Sequence, residues 1–118
     1  MNTVMKIVTF ACLFAWACVA THAQAASFAC ERAQTATEKA ICKHNGLNDA
    51  DVKMATSYNI LRKLVPMGTR SLIQEEQVKW LQLRDQCLDN VSCLTDVYKM
   101  RQQKLDLHLN RIYKLGPF

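Results

Sequence analysis

Cys30, Cys42, Cys87 and Cys93 are the side chains of this chain with the most chemistry open to them. A thiol can ligate a metal, act as a nucleophile or be oxidised to a disulfide. Structural zinc sites bring two cysteines within a few residues of each other, and no C-x-x-C pair occurs here. Metal ligation is therefore not expected, and the thiols read as structural staples formed in an oxidising compartment. Four cysteines allow three pairings, and their positions alone do not choose between them. Locality favours Cys30–Cys42 and Cys87–Cys93. In the chain-entropy account the first loop contributes about 3 kcal/mol and the shorter one somewhat less.

The remaining reactive side chains are few. His44 and His108 are the only histidines beyond residue 25. His44 follows the end of a helical segment, where an imidazole suits the negative end of the helix dipole. No Ser-His-Asp order, glycine-rich phosphate loop or His/Asp metal cluster is present. Glu75 and Glu76 are adjacent, so a helix points them in different directions and they form no acid/base couple. The chain does not read as an enzyme, and it calls for no cofactor.

The first 25 residues have the three parts of a secretory signal. Lys6 gives the positive start, residues 7–20 form an apolar run, and Ala23-Gln24-Ala25 is a small-x-small cleavage site. Export to the periplasm or the cell exterior is expected, with residues 26–118 as a single mature domain. Acylation of Cys18 as a lipoprotein anchor is disfavoured by the bulk of Trp16 before it. No later stretch is apolar enough to span a bilayer. The chain has 15 basic and 10 acidic residues. Lys6 leaves with the signal, so the mature net charge is near +4. The charges are interspersed and form no basic block, which with export argues against a nucleic-acid partner.

The mature segment reads as four helices. Thr35 and Glu38 make a capping box that opens the first, and Asn45-Gly46 gives it a left-handed stop. The second runs from about Asn48 to Val65, with Met54, Tyr58, Leu61 and Val65 on one stripe and Ala55 and Leu64 beside it. Pro66 and Gly68 place a turn over residues 65–69. The third spans roughly Ser71 to Cys87, with Ile73, Trp80, Leu81 and Leu88 near one face and Gln77 and Arg84 on the same side. After a tight turn Ser92 caps the fourth, whose heptad stripe is Leu94, Tyr98, Arg101, Leu105, His108 and Ile112, ended by Gly116-Pro117. No strand alternation appears. The expected fold is all-α: a short N-terminal helix plus a small antiparallel bundle of three longer helices, stapled by two local disulfides.

Arg84 and Arg101 stand on apolar stripes, where an unpaired charge is costly. Arg101 is expected to pair with a carboxylate such as Asp85 or Glu38 while its stem covers Trp80 or Tyr98.

The order of these residues is distinctive. Phe28-x-Cys30 is followed by Thr37-Glu38-Lys39-Ala40-Ile41-Cys42, then by Leu47, Asp51 and Tyr58. Gln77-x-x-Trp80-Leu81-x-x-Arg84-Asp85-x-Cys87 comes next, and Cys93-Leu94-x-x-x-Tyr98-x-x-Arg101 completes the run. It resembles the LprI-like lysozyme-inhibitor family of bacterial exported proteins over nearly the whole mature chain. The resemblance implies a small helical envelope domain, and it supports the two local disulfides. It also marks Trp80, Arg84, Asp85, Tyr98 and Arg101 as signature positions of the fold. The function it implies is inhibition of a lysozyme or other cell-wall hydrolase by protein contact. The alternative is an envelope interaction or structural module with an unknown protein partner. Arg70, in the turn before the third helix, is the basic side chain expected to approach catalytic carboxylates.

Overall fold

The computed structural model describes residues 26–116. The expected export segment and cleavage site, Cys18 and Pro117 lie outside them. A short 3-10 turn at Cys30–Arg32 leads into α1 (Ala36–Lys43), α2 (Asn45–Leu64), α3 (Met67–Asp85) and α4 (Val91–Leu115). The links between the three long helices are too short for anything but antiparallel neighbours. α2 and α4 consequently run the same way, and they share the largest interface.

Each long helix presents a seam at four-three-four spacing. On α2 it comprises Leu47, Asp51 and Met54, with Leu61 a heptad beyond Met54; on α3, Ile73, Gln77, Trp80 and Arg84; on α4, Leu94, Tyr98, Arg101 and Leu105. This period keeps one stripe facing its neighbours along the bundle. Ile41 of α1 completes the core with no exposed surface.

The two disulfides are Cys30–Cys42 and Cys87–Cys93. The first ties the 3-10 turn to the last turn of α1. The second closes the loop between α3 and α4.

Several boundaries differ from those read in the sequence. Asn45 and Gly46 do not stop α1. They form the first turn of α2, and a single extended residue, His44, separates the two helices. Gly46 does not have a positive φ. Thr35 caps α1 through the expected capping box. α4 begins earlier than Ser92, because the Asn90 side chain accepts the Cys93 N–H at 2.9 Å. α3 starts at Met67, directly after Pro66, whose ring fixes a φ suited to entering a helix. Leu64 and Leu88 are exposed rather than packed.

Candidate contact surface

The polar members of the three seams meet in two layers. In the first, Asp51 has no solvent exposure, yet its carboxylate is satisfied. Its Oδ1 accepts the Tyr98 hydroxyl and its Oδ2 accepts the Ser27 backbone N–H, both at 2.7 Å. Burial, then the adjacent Asp51 carboxylate, pushes the Tyr98 phenol far above its ordinary range. Tyr98 packs edge-on against Trp80, with ring centroids 5.1 Å apart. The Trp80 indole N–H donates to the Val97 carbonyl at 3.0 Å, joining α3 to α4. The Arg84 guanidinium lies 5.9 Å from the Trp80 ring and pairs with Asp85 at 2.7 Å. Burial works against that charge, but Asp85 and the Tyr98 oxygen outweigh it and hold Arg84 above the usual arginine value.

The second layer lies one turn further along α4. Arg101 is only 3% exposed. Its Nε donates to Gln77 Oε1 at 2.9 Å, while Gln77 Nε2 donates to the Met54 sulfur at 3.3 Å. Glu76 Oε2 accepts from Arg101 Nη1 at 3.5 Å, and among the described residues Nη2 has no partner. The carboxylate partner of Arg101 is thus Glu76, not Asp85 or Glu38. Glu76 sits one helical step from Gln77, on the α4 side of α3, where it also meets Lys104 at 3.0 Å. Burial would raise the Glu76 pKa, but Lys104, Arg101 and His108 together lower it. Glu75 points away and pairs with Lys79 at 2.8 Å. Among the described residues no group of three or more His, Cys, Asp or Glu is placed to hold a metal ion.

Trp80, Arg84, Asp85 and Tyr98 therefore occupy one cluster, and Arg101 the layer next to it. The Trp80 indole donates to the backbone, Arg84 pairs with Asp85, Tyr98 donates to Asp51, and Arg101 bonds Gln77 and Glu76. Asp51 is the partner of Tyr98 that the apolar stripe of α2 did not reveal. Its signal was the four-three spacing from Leu47 through Asp51 to Met54, which puts a carboxylate in the seam.

What faces outward is of three kinds. A groove of about 800 Å³ runs between the α1–α2 junction and α4, bordered by Lys43, Lys53, Lys99, Gln102 and Asp106, with Tyr98 at its floor. The α1–α2 junction that borders it is the one-residue break at His44, where the sequence suggested a stop at Asn45-Gly46. At one end of the bundle, Arg70 lies in the first turn of α3 rather than in a free turn, half-buried, with its Nε shielded from solvent. At the other end is the Cys87–Cys93 loop. Leu88 there has φ 53°, the left-handed region, which costs a residue with a Cβ roughly 1–2 kcal/mol. Thr37 of α1 holds the loop by donating its hydroxyl to the Leu88 carbonyl at 2.9 Å.

A family model described as lysozyme inhibitor LprI matches residues 29–115. The chain belongs to the LprI lysozyme inhibitor family. No curated protein and no solved structure matches it. In this LprI member the matched span takes in all four helices and both disulfides. The family is named for inhibition rather than catalysis, and inhibition of a lysozyme is exercised through contact with a protein partner. Among the described residues no helix is long and apolar enough to cross a membrane.

Proposed function

We propose that the mature chain, released by cleavage after Ala25, acts in the periplasm or outside the cell as a contact inhibitor of a lysozyme-type cell-wall hydrolase. The observation that carries this reading is the LprI match over residues 29–115, on a domain whose signature side chains are engaged with other groups of the domain: Trp80 with the Val97 carbonyl, Arg84 with Asp85, Tyr98 with Asp51 and Arg101 with Gln77. Such a domain offers a partner a rigid outer surface. A stapled end and buried polar layers reduce the ordering that association would otherwise cost. Glycoside hydrolases work with a pair of carboxylates flanking the scissile bond. Arg70 is the proposed cation for such a pair, its guanidinium suited to bidentate contact with carboxylate.

The test is the clearing of a cell-wall suspension by lysozyme, followed by turbidity with and without the oxidised protein. Slower clearing at stoichiometric ratios is expected. Clearing that is unchanged at large molar excess removes inhibition and leaves the envelope-module alternative. An Arg70→Ala variant that inhibits fully takes that side chain out of the account.

A further inference from the structure

The loop at the stapled end of the bundle carries a side chain that its internal bonds do not explain. α3 ends at Asp85, and the chain turns back through Leu88, whose N–H donates to the Asp85 carbonyl at 3.2 Å. A left-handed residue after a helix end is ordinarily glycine, sometimes asparagine. The backbone here does need that conformation. It aims the Leu88 carbonyl at Thr37, and it lets the Asn90 N–H reach the Cys87 carbonyl at 3.1 Å. None of those bonds uses the leucine side chain. That side chain is 62% exposed. Glycine would satisfy every internal contact of the position at less strain, and asparagine nearly so.

The surroundings fix the tip in space. The Cys87–Cys93 bond closes the loop, Asn90 caps α4 from within it, and Thr37 ties it to α1. Leu83 before the loop and Val91 after it are exposed apolar side chains as well. Rigid presentation of an apolar anchor is what a protein interface rewards, because no loop entropy is lost on binding. A strained backbone held by its surroundings is found most often at sites of function.

We propose that Leu88 is the apolar anchor of the contact surface, presented by the Cys87–Cys93 loop to an apolar pocket in the hydrolase cleft. This rests on the inhibitor reading and names its contact. In lysozyme the general acid sits in an apolar pocket that raises its pKa. A leucine seated there would exclude the substrate. The Asp89 and Asn90 side chains beside it would lie at the polar rim. Leu88 is separated from Arg70 by nearly the whole of α3, about 22 Å of helix between Arg70 and Asp85. The two candidates thus belong to opposite ends of the molecule, and their variants report independently.

The experiment compares Leu88→Gly, Leu88→Asn and Leu88→Met with the wild type, using lysozyme and a cell-wall suspension, alongside thermal melts of each oxidised protein. Leu88→Gly and Leu88→Asn are expected to melt at or above the wild-type temperature. Their inhibition should weaken by roughly ten- to a hundredfold, the worth of burying one leucine side chain. Leu88→Met, apolar and of similar volume, should retain inhibition within a few-fold. A folded Leu88→Gly or Leu88→Asn that inhibits as well as the wild type overturns the anchor while leaving the inhibitor reading intact. A wild type without effect on lysis overturns both.

Discussion

Asp51 and Tyr98 show why burial of polar groups in this core is tolerable. A carboxylate with no exposure would be costly alone, but each of its oxygens accepts a short hydrogen bond from a fixed donor. Removing one donor without removing the acceptor should therefore cost more than the bond is worth. Tyr98→Phe leaves Asp51 Oδ1 unpaired and should lower stability by about 1–3 kcal/mol in urea unfolding. The pH dependence follows from the same contact. The Tyr98 pKa is raised in the folded state, so its contribution is complete below the unfolded tyrosine value of about 10 and is lost as pH rises above it. Absorbance titration should show Tyr98 ionising only together with unfolding. Tyr98 ionising while the helical circular dichroism is intact would contradict the Asp51 contact. Arg101 is a weaker case for stability, since its Nη2 is buried and has no partner among the described residues. Its role is better understood as setting the register between Gln77, Glu76 and α4.

At the scale of helices, spacing predicted more than punctuation did. The four-helix order, the capping box at Thr35 and the stripe on α4 were legible because apolar periodicity and cap chemistry are local. The α1–α2 junction was not. Asn-Gly is a frequent left-handed stop, yet here His44 alone takes the extended conformation and Gly46 enters the next helix. What overrides the local signal is Ile41 and Leu47, six residues apart and both buried in one core, which demand a sharp break at once. Leu88 misled for the opposite reason: it continues the apolar face of α3 on a helical wheel, but the helix has already ended. Polar residues in the seams were visible as anomalies, while their partners depended on which helices touch. The contact surface was least legible, because exposure and strain at Leu88 have no signature in a single sequence. Gly46 offers a test of the junction. Its position is helical, and a Cβ there would meet nothing within 4 Å. Gly46→Ala should raise stability by about 0.5–1 kcal/mol, read as a higher urea midpoint at unchanged slope. A lower midpoint would mean that this glycine does serve as a left-handed stop.

The whole domain is small enough that its crosslinks decide whether it folds. A chain of this length has about 5–10 kcal/mol of net stability, the remainder after large opposing terms cancel. The Cys30–Cys42 loop spans 12 residues and the Cys87–Cys93 loop 6. Chain entropy gives about 3 kcal/mol for the first and somewhat above 2 for the second, a sum comparable with the total. The two do different work. Cys30–Cys42 holds the segment carrying Ser27, whose backbone N–H completes the shell around Asp51. Cys87–Cys93 holds the tip that carries Leu88. A Cys30→Ser/Cys42→Ser variant should therefore lose stability and disturb the Asp51–Tyr98 cluster, seen as a change in near-ultraviolet circular dichroism from Tyr98 and Trp80. A Cys87→Ser/Cys93→Ser variant should retain that signal while its melting temperature falls by roughly 10 °C, as expected for a loss of about 2 kcal/mol in a domain this size. Reduction of both should abolish cooperative melting near 37 °C. A fully reduced chain that melts within a few degrees of the oxidised one would show that the helical core suffices alone.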